Sequence, residues 1–148
     1  MEVQEDYREL LKSLNAHDVE YVIVGAYALA YHGAPRFTGD LDILVRPTEK
    51  NAGRVILALK DFGFEFQELS PSDFQAPDKV VQLGLPPVRV DLITSLTGVT
   101  WDEASSGKQK ASYGGVPVWY IGREQLIANK RALGRKRDLA DLEALGEI

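Results

Sequence analysis

The 148-residue sequence contains no cysteine. That excludes disulfides, thiol nucleophiles and zinc–thiolate centres, and it suits a cytosolic setting. Histidine is scarce: His17 falls at an expected helix end and His32 precedes a glycine turn, so neither stands in a pattern that marks a general base. No apolar run is long enough to span a bilayer, and the longest, Tyr21 to Tyr31, is broken by Gly25. Glu2, Glu5 and Asp6 make an acidic start, unlike the basic start of a signal peptide. Repeats and low-complexity tracts are also missing. These absences, with the length, lead us to expect one cytoplasmic domain over residues 1–148 that buries its own core and has no membrane partner.

What is present is an uneven charge. Lys and Arg number 17 against 22 Asp and Glu, a net of −5, which argues against generic duplex DNA binding. Between residues 123 and 137, however, stand six basic residues (Arg123, Lys130, Arg131, Arg135, Lys136, Arg137) and one acidic residue, Glu124. The chain is an acidic body with one basic pole.

Apolar periodicity gives the coarse organisation. Tyr7, Leu10, Leu11 and Leu14 form a helical stripe over about residues 4–16. Tyr21–Val24 reads as a buried strand, residues 26–31 as a short alanine-rich helix, and residues 41–45 as a second strand. Ala52, Val55, Ile56, Leu59 and Phe62 give another helical stripe, ended by Gly63. Residues 67–78 read as a loop, and residues 80–85 and 88–93 as two strands of a hairpin around Pro86-Pro87. Residues 97–115, polar and rich in Gly and Ser, read as a mobile excursion. A strand over residues 116–121 follows, then two helices at about 123–133 and 138–146, separated by Gly134 and a basic turn. The order predicts an α/β (α+β) fold, a mixed sheet with helices packed on it.

Chemistry gathers on the strands. Asp40 and Asp42 are two apart in an extended segment, so both side chains face the same way, with Cα atoms about 6–7 Å apart. Two anions at that range repel by roughly 3 kcal/mol at an effective dielectric near 20. A divalent cation is the usual compensation, and hard oxygen donors suit Mg²⁺. Such a pair can also simply face solvent at a strand start. Asp91 lies in another β-rich run, sharing a face with Arg89 and Ile93. An Asp among apolar strand residues needs a partner, which is either Arg89 or a metal. If the Asp91 strand lies beside the Asp40 strand, three carboxylates converge, a ligand set suited to two-metal phosphoryl transfer. Gly25 ends a strand and opens a helix, where exposed amides favour a phosphate; a plain strand–helix turn has the same look.

The run Val24-Gly25-Ala26, then His32-Gly-Ala-Pro-Arg36-Phe-Thr38-Gly-Asp40-Leu-Asp42-Ile43, resembles the polymerase-β-like nucleotidyltransferase superfamily, in particular its minimal AbiEii-like members. Asp91 matches the third carboxylate of that group. Leu126 to Lys130 and Arg135-Lys-Arg-Asp138-Leu-Ala-Asp141 resemble its C-terminal lysine and charged segment. The family turn is usually Gly-Gly or Gly-Ser; Ala26 keeps the backbone N–H but lacks the serine hydroxyl.

The resemblance implies a short mixed sheet flanked by helices, and a Mg²⁺-dependent transfer of a nucleoside monophosphate from an NTP to an acceptor hydroxyl. The acceptor would be a tRNA end, a protein or a small molecule, and relatives of this kind often belong to toxin–antitoxin pairs. In that frame Asp40, Asp42 and Asp91 hold two metal ions, Asp91 takes the acceptor proton, and Gly25 and Ala26 hold phosphates. Lys130, on an otherwise apolar helix face, either snorkels to solvent or aims its ammonium at the nucleotide. Arg36 contacts phosphate or supports the carboxylates, and Thr38 fixes the loop or serves ordinary turn chemistry. Asp138 and Asp141 are either helix N-terminal acids or orient Arg36 or Lys130, with Arg135 beside them. A non-catalytic alternative is a degenerate member that binds nucleotide, RNA or a partner protein through the basic pole.

Overall fold

The computed structural model describes residues 3–64, 68–85 and 87–147; Glu2, Gln67 at the start of the expected loop, and Pro86 of the expected hairpin lie outside them. In chain order the elements are α1 (Glu5–Ala16), β1 (Tyr21–Val24), α2 (Gly25–Tyr31), β2 (Asp40–Val45), α3 (Glu49–Phe62), a 3-10 turn (Pro71–Phe74), β3 (Val80–Leu83), β4 (Arg89–Ile93), α4 (Trp101–Gly107), β5 (Gln109–Tyr113), β6 (Val116–Tyr120), α5 (Arg123–Leu133) and α6 (Lys136–Ala144). The strands form one sheet in the order β3-β4-β2-β1-β6-β5. It is mixed: β2 and β4 are parallel, as are β1 and β6, and the other neighbours are antiparallel. This is the α/β architecture expected from the sequence.

The core follows the stripes. Tyr7, Leu10, Leu11 and Leu14 of α1 are buried, and all four residues of β1 are buried. Each fully buried side chain of this size contributes about 1.5–3 kcal/mol. On α3, Ala52, Val55 and Leu59 are buried, while Ile56 and Phe62 pack at the margin. That helix starts at Glu49, three residues before its apolar stripe, because Thr48 accepts a hydrogen bond from the Asn51 N–H.

One expectation is corrected. Residues 97–115 are not a mobile excursion: they hold α4 and β5. Thr100 and Glu103 exchange capping hydrogen bonds at the start of α4. All five residues of β5 pair with β6. As an edge strand, β5 needs apolar side chains on little of its surface, which is why its composition resembles a loop. The basic turn is shorter than expected as well, since Lys136 and Arg137 already belong to α6.

A polar clamp ties the end of β2 to α3. Asn51, only 1% exposed, accepts from the Glu20 N–H at 2.7 Å and donates to the carbonyls of Glu20 and Arg46 at 3.0 Å each. Replacing it by alanine strands three backbone groups in a buried place, so Asn51→Ala is expected to destabilise the fold by about 2–3 kcal/mol in urea unfolding. A loss under half a kcal/mol, on the order of a surface substitution, would show the clamp to be dispensable.

Candidate active site

The sheet register builds the site. In the parallel β2–β4 pair, Asp40 lies opposite Arg89 and Asp42 opposite Asp91. Strand alternation then brings Asp40, Asp42, Arg89 and Asp91 onto one face while Leu41, Val90 and Leu92 go into the core. Asp40, Asp42 and Asp91 each offer a carboxylate oxygen, and these oxygens lie within 4.8 Å of one another. The three aspartates therefore converge, and the reading of them as stray surface acids does not hold.

Each carboxylate has its own compensation. Burial works to raise Asp40, but hydrogen bonds from Thr38 and Arg89 outweigh it and hold the group below its usual range. The Thr38 hydroxyl donates to Asp40 Oδ1 at 2.8 Å. Among the described residues Asp42 has no comparable donor: burial, then the charges of Asp40 and Asp91, push it up to about 7. Asp91 is raised by burial, against the pull of Arg89. The Arg89 guanidinium donates to Asp40 Oδ2 at 3.0 Å and to Asp91 Oδ2 at 3.4 Å. Its Nε lies 3.2 Å from Asp91 Oδ1, yet it points off the line of a hydrogen bond, and both atoms are buried without a bonding partner. Of the two partners read for Asp91, Arg89 is in place, and the convergence of the aspartates leaves room for the other.

Gly25 makes room for the group. Val24 pairs with Asp42 across β1 and β2, so the first residue of α2 passes directly over the Asp42 carboxylate. A Cβ on Gly25 would stand 2.3 Å from Asp42 Oδ2, and the residue has φ +66°, a conformation that glycine adopts without cost.

These groups line a cleft of about 540 Å³. The three aspartates, Gly25, Ala26 and Thr38 line it from the sheet, and Arg36, Lys130 of α5, Arg135 at the turn before α6 and Arg137 of α6 supply its cationic lining. Asp138 and Asp141 are buried behind that cationic lining. Lys130 is 3% exposed, and its ammonium sits 3.0 Å from Asp141 Oδ2 and 3.5 Å from Asp138 Oδ1. It neither snorkels nor stands free in the cleft. Arg36 reaches the same Asp141 with two hydrogen bonds, at 3.0 and 3.3 Å. Arg135 grips Asp138 at 2.6 and 3.2 Å, and Asp138 also accepts from the Arg135 backbone N–H. The result is a chain of alternating charge, Arg36, Asp141, Lys130, Asp138, Arg135, that carries one net positive charge.

The basic pole is largely spent in this way. Besides Lys130 and Arg135, Arg123 and Arg131 both pair with Glu147. His17 faces Asp61 and His32 faces the Ile121 carbonyl, and neither lines the cleft. Sequence reasoning missed Phe37 as a cleft residue and read Arg89 only as a partner for Asp91. The signal for Phe37 was its place inside Arg36–Thr38, and it is 90% exposed.

The match to known families agrees with this geometry. Residues 3–148 match the family described as "Nucleotidyl transferase of unknown function (DUF2204)". The chain belongs to that family. Solved nucleotidyltransferase structures share its fold. The Thermotoga maritima protein TM1012, assigned as a nucleotidyltransferase, superposes with a TM-score of 0.64 at 16% identity, covering 96% of this chain and 93% of its own. The lincosamide antibiotic adenylyltransferase LnuA, solved with lincomycin bound, gives 0.62 at 16% identity over 100% and 99% of the two chains. The antibiotic-resistance factor ANT(2'')-Ia gives 0.61 at 10% identity over 95% and 80%. No curated protein matches the sequence. Among the described residues, no helix is long and apolar enough to cross a membrane.

Two predictions follow from the charges and the crowding. With its carboxyl pushed up to about 7 from the ordinary 3.8, Asp42 keeps its proton between those pH values in the folded chain and has lost it in the unfolded one. Folding stability should therefore fall as pH rises from about 4 to about 7 and then level off. Asp42→Asn removes that slope and is expected to stabilise the metal-free chain at pH 8 by on the order of 1–2 kcal/mol; melting curves in chelator at several pH values decide it, and parallel profiles for both proteins would refute the assignment. Gly25→Ala should destabilise by about 1–3 kcal/mol, and Asn in place of Asp42 should not relieve the backbone part of that cost.

Proposed function

We propose that this chain transfers a nucleoside monophosphate from an NTP to an acceptor hydroxyl, with Mg²⁺ as cofactor. One observation carries the reading: three aspartates on adjacent strands converge in a cleft that Arg36, Lys130, Arg135 and Arg137 also line. The donor set fits the metal. All three ligands are hard oxygens, Asp91 Oδ1 is a buried acceptor without a hydrogen-bond donor, and Gly25 keeps a side chain out of the cradle. Asp40, Asp42 and Asp91 would hold the ion, which when bound supplies positive charge to the triphosphate and lowers the pKa of the acceptor hydroxyl.

The chain's own groups do the rest. The acceptor oxygen forms a bond to the α-phosphorus, the bond from that phosphorus to the β-phosphate bridge oxygen breaks, and pyrophosphate leaves. Asp91 takes the acceptor proton; its raised pKa suits a base. The amides of Gly25 and Ala26 hold the β- and γ-phosphates, and Lys130 and Arg36 contribute positive charge across the cleft, steadied by Asp141. Arg135 and Asp138 keep Lys130 in place. Thr38 fixes Asp40.

The acceptor belongs to one of three classes: a tRNA end, a protein of a toxin–antitoxin pair, or a small molecule such as the antibiotic bound by the similarly folded LnuA. We place the reaction in the cytoplasm and within a single domain spanning residues 1–148. A degenerate module that binds RNA or a partner through the basic pole fits less well, since four of the six basic residues already face carboxylates.

Radiolabelled NTPs offered with Mg²⁺ and each acceptor class test the proposal. Wild type should label one class and release pyrophosphate, and Asp42→Ala should lose at least about a hundredfold of the rate. Labelling that survives the substitution refutes the mechanism.

A further inference from the structure

The guanidinium of Arg89 sits on two of the three carboxylates that a metal would need. Its Nη2 donates to Asp40 Oδ2 and Asp91 Oδ2, and its Nε lies beside Asp91 Oδ1. It therefore spans two of the three carboxylates. The main chain beneath it is fixed: the Arg89 N–H donates to the Gly39 carbonyl at 3.3 Å, and the Arg89 carbonyl accepts from the Tyr7 hydroxyl at 2.9 Å. Only the side chain is free to leave. That side chain is 30% exposed and borders the cleft, so it has somewhere to go.

A divalent ion on Asp40 and Asp91 competes for the same lone pairs and is repelled by the guanidinium charge. We propose that Arg89 is a built-in competitor of the metal: guanidinium and divalent cation exclude each other on Asp40 and Asp91, and an anionic phosphate entering the cleft tips the exchange by offering the guanidinium a new partner. This rests on the metal-site reading above and adds a property to it. Metal and nucleotide then bind with positive coupling, and the chain alone holds a divalent ion weakly. Guanidinium pairs readily with phosphate as a bidentate donor, so the displaced side chain gains on the substrate what it gives up on the aspartates.

The test reads metal binding, not turnover. Free Mn²⁺ is titrated by electron paramagnetic resonance against nucleotide-free wild type, Arg89→Gln, Arg89→Lys and Asp91→Asn. Arg89→Gln should bind Mn²⁺ about tenfold more tightly than wild type, within the usual range of coupling. Arg89→Lys, whose single ammonium cannot span both carboxylates, should fall between them and serves if the glutamine variant does not fold. Adding Asp91→Asn to either variant should abolish the gain. Equal or weaker Mn²⁺ binding in both Arg89 variants, with wild-type binding still sensitive to Asp91→Asn, overturns the competitor and leaves the metal site standing. Mn²⁺ binding that ignores Asp91→Asn throughout overturns both.

Discussion

Three carboxylates on one sheet face repel one another, and much of the structure is arranged around that repulsion. The parallel register of β2 and β4 creates it by setting Asp42 opposite Asp91. Thr38 and Arg89 relieve it at Asp40, and protonation relieves it at Asp42. Gly25 keeps its backbone close to Asp42 without a side chain to collide with it. The rest of the sheet supplies stability that the face itself does not: Leu41, Ile43, Val90 and Leu92, the neighbours of the aspartates along the strands, are all buried. Stability and function are here segregated by strand alternation, one residue to the core and the next to the cleft.

The cationic lining of the cleft solves a different problem. Lys130, Asp138 and Asp141 are nearly fully buried charges, and such groups are tolerated only when paired and hydrogen-bonded. Arg36 and Arg135 complete the pairing from the two ends. Because Arg36 sits on the loop that leads into β2, the network also joins the C-terminal helices to the aspartate strand. Arg36 thereby ties the cationic lining of the cleft to the strand that carries Asp40 and Asp42.

Much of this was legible in the sequence. The stripes of α1 and α3 and the apolar runs of β1, β2 and β4 follow directly from periodicity, and Asp40, Asp42 and Asp91 stood out because acids in apolar strands need a reason. What escaped was whatever depends on a neighbour. Polar β5 is a strand only because β6 lies beside it. The capping box of α4 was visible as Thr100 and Glu103, but composition spoke more loudly than spacing. Lys130 offered two sequence readings, snorkelling or an open cleft, and its actual partners come from a different helix whose docking no local pattern announces. Arg89 was legible only as a partner for Asp91; that it also reaches Asp40 depends on the cross-strand register, which seats one cation between two acids.

The register of β2 and β4 has a kinetic side. Asp42 and Asp91 are 49 positions apart, and α3, the 3-10 turn and β3 lie between β2 and β4. The triad exists only once that loop has closed and the parallel pair has formed, a late and non-local event of the kind that slows folding. No fragment ending before β4 contains the site. A ligand that recognises all three aspartates therefore recognises the finished fold, and its binding energy adds directly to global stability in place of stabilising any single element.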